Sequence, residues 1–205
     1  MPLNLTIGPL ALFALVASIT PGPNNLLLMR SGARFGVRRS LWHLSGVEAG
    51  FVGLMVLSHL GIGALLLALP LAFVVLRWAC FAYLIWLAIA ILRDARTEPA
   101  RTGRRTDTSA RPMNFLEGLM FQLINPKAWM MAVTVASAFY GSAVPSTADV
   151  TVATAISIVI GTPCMLIWAG WGAAIDRVLT QPRAHQLFGY FMAALVLATA
   201  LWMLR

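Results

Sequence analysis

The chain has 205 residues and is 60% hydrophobic and only 11% charged, with a mean hydropathy of +0.81. Soluble domains carry about 25% charged residues, so this composition excludes an ordinary soluble protein and indicates an integral membrane protein. The net charge is +8, but the arginines cluster between apolar segments as the positive-inside rule expects, so the charge does not indicate a nucleic-acid partner.

Six apolar stretches approach the roughly 20 residues that a helix needs to span the hydrocarbon core of a bilayer. They cover residues 5–28, 42–67, 70–92, 114–138, 149–172 and 186–204. The sequence therefore predicts an all-α membrane protein with six transmembrane helices. We find no motif in it that indicates a bound cofactor.

The first predicted helix is interrupted by a cluster of helix-breaking residues. The cluster consists of Thr20, Pro21, Gly22, Pro23, Asn24 and Asn25. Proline removes a backbone donor and frees a carbonyl, and a polar group left unsatisfied in lipid costs several kcal/mol. We expect the N–H groups where the helix restarts to suit a carboxylate, and the carbonyls of Ala17, Ser18 and Thr20 to suit an ammonium. A kink satisfied by neighbouring helices is the structural alternative.

The second predicted helix contains one acidic residue, Glu48, placed between two glycines that would permit the close approach of another helix. The sequence leaves two interpretations of Glu48 open. It either lies in a transport pathway, where it would pair with Lys127 or carry a proton, or it lies near the surface and pairs with Arg38 or Arg39.

The fourth predicted helix carries a second break at Asn125, Pro126 and Lys127. Asn125 is expected to cap a helix that begins at Pro126, inside the membrane. Lys127 is the only lysine, and a lysine deep in the membrane costs about 2.5–3.5 kcal/mol on insertion scales. We expect it to hold a substrate carboxylate or to take part in proton coupling; binding to carbonyls freed in the first helix is the structural alternative. Gln122, one turn earlier, is expected to line the same cavity.

The polar segment 93–112 divides the chain into two three-helix halves, 1–92 and 113–205. An odd number of helices per half forces the second half to run opposite to the first, and the breaks lie 126 − 23 = 103 residues apart, about half the chain. These features predict two inverted repeats with broken first and fourth helices, and paired broken helices indicate a transporter's binding site.

The arginines also predict the orientation of the helices. The 15 cations less one lysine leave fourteen arginines, and twelve of these follow the first, third and fifth predicted helices. The three basic connections are therefore predicted to be cytoplasmic, and both termini periplasmic.

Three motifs carry a family resemblance. They are the run Thr20–Asn25, the pair Gly46 and Gly50, and the segment Phe121–Trp129. With these motifs and its helix count, the whole chain resembles the lysine exporter and threonine–homoserine resistance translocators. The resemblance implies a six-helix carrier in the bacterial inner membrane that exports amino acids or close derivatives in exchange for protons. A homo-oligomer is compatible with the sequence.

A metal-ion exporter of related architecture and a membrane-embedded enzyme are the alternative functions. Hard cations prefer several oxygen ligands, usually carboxylates, and only Glu48 and Glu117 are available within the predicted helices. Glu117 lies near the cytoplasmic end of the fourth predicted helix, where we expect an interfacial position. An enzyme is expected to show a nucleophile motif or zinc-ligand spacing, and the sequence contains neither. The sequence therefore favours an amino-acid carrier.

Overall fold

The computed structural model describes residues 4–62, 68–96, 111–138, 146–178 and 182–202. Within these ranges the regular secondary structure is helical. The helices are α1 (Asn4–Ile19), α2 (Pro23–Phe35), α3 (Val37–His59), α4 (Pro70–Arg96), α5 (Phe115–Ile124), α6 (Pro126–Ala138), α7 (Thr147–Val178) and α8 (Pro182–Trp202). The all-α prediction is confirmed for the described part of the chain.

Three single helices, α3, α4 and α7, are long and apolar enough to cross a membrane. Helices α1 and α2 together form a fourth candidate, a span bent by 55° at its break. Helix α5 and the part of α8 from Gln186 to Trp202 are apolar but shorter. The described residues thus give three spans, or four with the bent pair, and the count of six stays a prediction.

The first basic connection lies within helices, which differs from the sequence interpretation. Helix α2 continues to Phe35 and α3 begins at Val37, so Gly36 alone separates them. Gly36 has a φ of +79°, a left-handed conformation that glycine adopts without a steric penalty. The arginines at positions 30, 34, 38 and 39 are therefore helical. A helix can carry them at this level because their aliphatic stems lie along it while the charged ends reach the interface.

The predicted linker 93–112 is helical at its first end and is followed directly by a capped helix. Helix α4 continues to Arg96, and residues 97–110 lie outside the described ranges. At the other end Asn114 caps α5, since its side chain accepts from the Glu117 N–H at 2.9 Å and the Glu117 carboxylate accepts from the Asn114 N–H at 2.8 Å. This capping box fixes where the second half of the chain resumes its helical course.

Helix packing follows a reciprocal pattern between the two halves. Helix α7 lies against both parts of the first broken pair, α1 and α2, while α3 lies against both parts of the second, α5 and α6. Helix α4 packs against α8, and α3 contacts α7. Exchanging the first half for the second maps these contacts onto one another, although the contact between α2 and α3 has no counterpart of similar extent between α6 and α7 in the described residues.

Glycines permit the closest of these contacts. A Cβ placed on Gly172 of α7 would collide with the carbonyl group of Met29 on α2, and one placed on Gly46 of α3 would collide with the carbonyl of Phe115 on α5. Backbones that approach this closely gain dispersion and leave no room for larger side chains, which is a common way for membrane helices to associate.

Candidate functional site

The two helix breaks meet in the structure. The Lys127 ammonium donates to the Thr20 carbonyl and to the Thr20 Oγ1, each at 3.0 Å. The Asn24 side-chain amide donates to the Gln122 Oε1. Residues about 100 positions apart in the chain are therefore in direct contact where α1 ends and α6 begins.

The carbonyls at the end of α1 illustrate how the first break is satisfied. Each of the last four accepts a hydrogen bond: Val16 from the Thr20 N–H (3.2 Å), Ala17 from the Thr20 hydroxyl (3.1 Å), Ser18 from the Asn25 amide (2.7 Å) and Ile19 from the Trp168 Nε1–H (3.2 Å). The Thr20 carbonyl accepts from both Asn25 (2.9 Å) and Lys127. The cost of interrupting a helix in lipid is offset by these side chains.

This arrangement corrects one expectation. We expected the carbonyls near Thr20 to receive an ammonium from a substrate. The ammonium that Thr20 binds is that of Lys127, and the Ser18 carbonyl is occupied by Asn25. The contact that the sequence offered as the structural alternative for Lys127 is therefore present.

The second break is a helix start inside the protein, as predicted for Asn125 and Pro126. The Asn125 Oδ1 accepts from the Lys127 N–H at 3.1 Å, which caps the first turn of α6. The Trp129 Nε1–H donates to the Leu123 carbonyl at 2.8 Å. Each break therefore has a tryptophan that satisfies a freed carbonyl, a role that the sequence did not suggest for Trp129 or Trp168.

A cavity of about 70 Å³ lies between the two breaks. A water molecule needs roughly 10–15 Å³ of such space, so the cavity has room for about five waters or one small solute. Seven of the ten predicted binding residues line it: Gly22, Pro23, Asn24, Asn25, Gln122, Asn125 and Lys127. Thr20, Pro21 and Pro126 lie outside its lining and shape the breaks themselves.

Two side chains of opposite charge face this cavity. Glu48 reaches it from α3 and Lys127 from α6. Glu48 accepts a hydrogen bond from the Thr162 hydroxyl of α7 at 2.6 Å. Of the two interpretations that the sequence left open, the structure supports the one that places Glu48 at the cavity.

Further polar groups in the cavity have unused hydrogen-bonding capacity. Asn24 Oδ1 is buried and accepts no hydrogen bond from the residues that the structure describes. The N-terminus of α2 has no side-chain cap, so its first N–H groups present a partial positive charge beside the cavity. A carboxylate and an ammonium would both find partners here.

Sequence reasoning missed several lining residues. They come from α3, α6 and α7: Val47, Phe51, Ala128, Met131, Ser157, Gly161 and Met165. Most are apolar residues that look like any other part of a membrane helix. A hydroxyl within an apolar stretch, as at Ser157, is the one weak signal that could have indicated one of them.

Other candidates have local roles. Glu117 pairs with Arg111 at 2.6 Å and is partly exposed, in agreement with the interfacial interpretation. The Nδ1 of His59 lies 2.7 Å from the Met55 carbonyl of its own helix. Among the described residues, no group of three His, Cys, Asp or Glu side chains is placed to hold a metal ion.

Comparison with known proteins places the chain among transporters. The family model of the LysE type translocators matches residues 15–205. Similar relatives are the cysteine/O-acetylserine efflux proteins of Escherichia coli strain K12, Shigella sonnei and Shigella flexneri. Each is 32% identical over 173 residues, which cover 82% of this chain and 83% of the relative. No solved structure matches the chain.

The matched segment includes both helix breaks, the cavity between them and all of the candidate binding residues. Together with the apolar helices it makes the chain a multi-pass membrane protein whose relatives are amino-acid efflux proteins. The chain belongs to the LysE type translocator family.

Proposed function

We propose that this translocator exports a small zwitterionic amino acid, or a close derivative, across the bacterial inner membrane in exchange for protons. One observation carries the proposal: two helix breaks from opposite halves of the chain converge on one small cavity that contains a positive and a negative side chain. An amino acid carries the complementary pair of charges.

Recognition of the substrate is divided between the two sides of the cavity. Lys127 and the uncapped N-terminus of α2 form the positive side and would receive the carboxylate. Glu48 and the Oδ1 of Asn24 form the negative side and would receive the ammonium. Because Lys127 already holds Thr20, the carboxylate would join an ammonium that is positioned before the substrate arrives.

The size and lining of the cavity favour a small substrate. About 70 Å³ leaves little room beyond a short side chain, and Phe51, Met131 and Met165 supply flexible apolar contacts. The relatives are named for cysteine and O-acetylserine, and both molecules combine a zwitterion with a short, weakly polar side chain. We propose these two as the first substrates to test.

Proton coupling is proposed to depend on Glu48, with Lys127 as the second candidate group. A carboxylate that binds the substrate ammonium and a proton in turn would exchange one for the other, which is the requirement for antiport. One charge moving down about 150 mV releases roughly 3.5 kcal/mol, and each tenfold gradient costs ~1.4 kcal/mol. One proton per zwitterion therefore sustains a gradient of about two orders of magnitude.

The two halves are proposed to form an inverted repeat that alternates access around the cavity. The reciprocal packing of α7 on the first broken pair and α3 on the second supports this relation. Arg30, Arg34 and Arg111 line one cavity at one end of the helices, which supports a common, cytoplasmic side for the basic connections. Both termini would then be periplasmic.

Transport by purified protein tests the proposal. In proteoliposomes with a proton gradient, labelled cysteine or O-acetylserine should accumulate on the acidic side, and a protonophore should abolish the accumulation. Labelled lysine or leucine, tested in the same proteoliposomes, should show less flux because these side chains are larger than the cavity can hold. Accumulation that persists with the protonophore would contradict antiport, and absence of flux for every amino acid in a panel would contradict the function.

A further inference from the structure

The hydroxyl of Thr162 makes a contact that differs from those of three other hydroxyls in α7. Thr151, Thr154 and Ser157 donate to carbonyls four residues earlier in the same helix, at 2.7–2.8 Å. Such a local bond is a common arrangement for a hydroxyl within a helix. Thr162 instead donates to the Glu48 carboxylate of α3, at 2.6 Å. Its contact therefore joins two helices from opposite halves of the chain.

Thr162 lies beside the substrate cavity without lining it. Its neighbour Gly161 is part of the lining, and so is Glu48. The Thr162 hydroxyl therefore affects the cavity through the carboxylate that it holds. Of the two oxygens of this carboxylate, Oε1 accepts the hydrogen bond, which leaves Oε2 for a group inside the cavity.

The opposite charge of the cavity is held in the same way. Lys127 donates to the carbonyl and the Oγ1 of Thr20, and Thr20 also lies outside the cavity lining. Lys127 belongs to the second half of the chain and Thr20 to the first, whereas Glu48 belongs to the first half and Thr162 to the second. Each charged group is thus held by a threonine of the other half.

The partner of Glu48 is neutral, and this property suits a cation-binding carboxylate. A glutamate side chain has several rotatable bonds, and ordering them costs free energy when a ligand binds. A hydroxyl that holds the carboxylate before binding removes part of this cost and leaves its charge uncompensated. An arginine or lysine partner would order the side chain as well but would cancel the charge that attracts an ammonium.

We infer that Thr162 is a positioning residue that sets the affinity of the site for the substrate ammonium. Its hydroxyl orients Glu48 so that Oε2 is available to the ammonium, and Thr162 itself does not touch the substrate. The inference rests on the proposed function, in which Glu48 receives the ammonium. Hydroxyls also strengthen contacts between membrane helices, but a contact of that kind alone predicts no difference between the two ends of the substrate.

Equilibrium binding to the purified protein tests this inference. The ratio of the affinities for O-acetylserine and its isomer N-acetylserine, which lacks a free ammonium, measures recognition of the ammonium. The ratio for serine and serinamide measures recognition of the carboxylate. T162V replaces the hydroxyl by a methyl group and should lower the first ratio about tenfold, or ~1.4 kcal/mol, while the second ratio stays unchanged. T162S keeps the hydroxyl and should show both wild-type ratios.

Three further variants serve as controls. T154V makes the same exchange on the same helix, but the Thr154 hydroxyl binds the Val150 carbonyl, so both ratios should equal those of wild type. T162A removes the Thr162 hydroxyl without adding an atom and covers the case in which T162V does not fold. The double variant E48Q/T162V should have the same ratios as E48Q, because Thr162 acts through Glu48 and the two effects should not add.

Three results would overturn the inference. The first is a pair of wild-type ratios in T162V and T162A. The second is an equal loss of both ratios in these variants, which would make Thr162 a helix contact alone. The third is a further loss in E48Q/T162V beyond that in E48Q. These results all presuppose that wild type prefers both zwitterions; if it shows neither preference, the proposed function fails and this inference fails with it.

Discussion

Lys127 links the two helix breaks and belongs to the proposed binding site at the same time. Its ammonium is held by the Thr20 carbonyl and hydroxyl, and it lines the cavity shared with Glu48. A lysine in lipid is costly unless it is bonded, and these two contacts lower that cost. The Thr20 carbonyl also accepts from Asn25, so the break keeps a donor if Lys127 is replaced.

Gly22 controls the position of the Lys127 ammonium. A Cβ at Gly22 would lie 2.9 Å from both the Cδ and the Nζ of Lys127, so G22A should push this flexible side chain away from Thr20. We expect transport to fall about tenfold, the effect of ~1.4 kcal/mol, with normal membrane insertion. The measurement is the initial rate of substrate flux in proteoliposomes.

The control for this variant is G53A in α3. A Cβ at Gly53 meets no atom within 4 Å, so the added methyl group should leave the flux unchanged. Equal flux in G22A and wild type would show that the exact position of the ammonium does not matter for transport.

Helices α2 and α7 make a contact that tolerates no side chain at Gly172. A Cβ there would collide with the Met29 carbonyl, whereas one at Gly170 of the same helix meets nothing within 4 Å. G172A should therefore destabilise the protein in detergent by about 1–3 kcal/mol, the usual cost of overpacking. Its unfolding temperature should fall accordingly. G170A should keep or raise it, because alanine is the better helix former by about 1 kcal/mol.

Differential scanning fluorimetry of the two purified variants separates packing from helix propensity, since both changes add one methyl group to α7. Equal melting temperatures would contradict the close approach of α7 to α2. The comparison also reports on the reciprocal contact pattern, because α7 is the helix that runs along the first broken pair.

The helices and both breaks were predictable because hydropathy and proline are local signals. Hydropathy failed at the end of α2, where arginines suggested a loop although the chain stays helical to Phe35. Partners far apart in the chain were not predictable. Thr162 binds Glu48 from 114 residues away, and this contact depends on how α7 is rotated, which an evenly apolar helix does not reveal.

The arginines in the connections predict the orientation of the molecule in the membrane. If the connection around residues 93–112 is cytoplasmic and the C-terminus is periplasmic, a reporter fused after Arg105 and one fused after Arg205 should report opposite sides. Alkaline phosphatase is active in the periplasm and a fluorescent protein folds in the cytoplasm, so the two reporters give complementary signals. The same side for both positions would contradict the proposed inverted halves.

The central claim is that the cavity between the breaks binds both the ammonium and the carboxylate of an amino acid. Two isomers isolate the ammonium, since O-acetylserine has a free ammonium and N-acetylserine does not. Serine and serinamide isolate the carboxylate. Wild type should bind the zwitterion of each pair more tightly, because leaving a buried charge without its partner costs about 2–5 kcal/mol.

Equilibrium binding of these four compounds to wild type, E48Q and K127M is the most direct test. E48Q should lose the preference for O-acetylserine over N-acetylserine and keep the preference for serine over serinamide. K127M should keep the preference for O-acetylserine and lose the preference for serine over serinamide. This crossed pattern is the predicted result. Loss of neither preference, or of both in each variant, would contradict the assignment of the two charges to the two ends of the substrate.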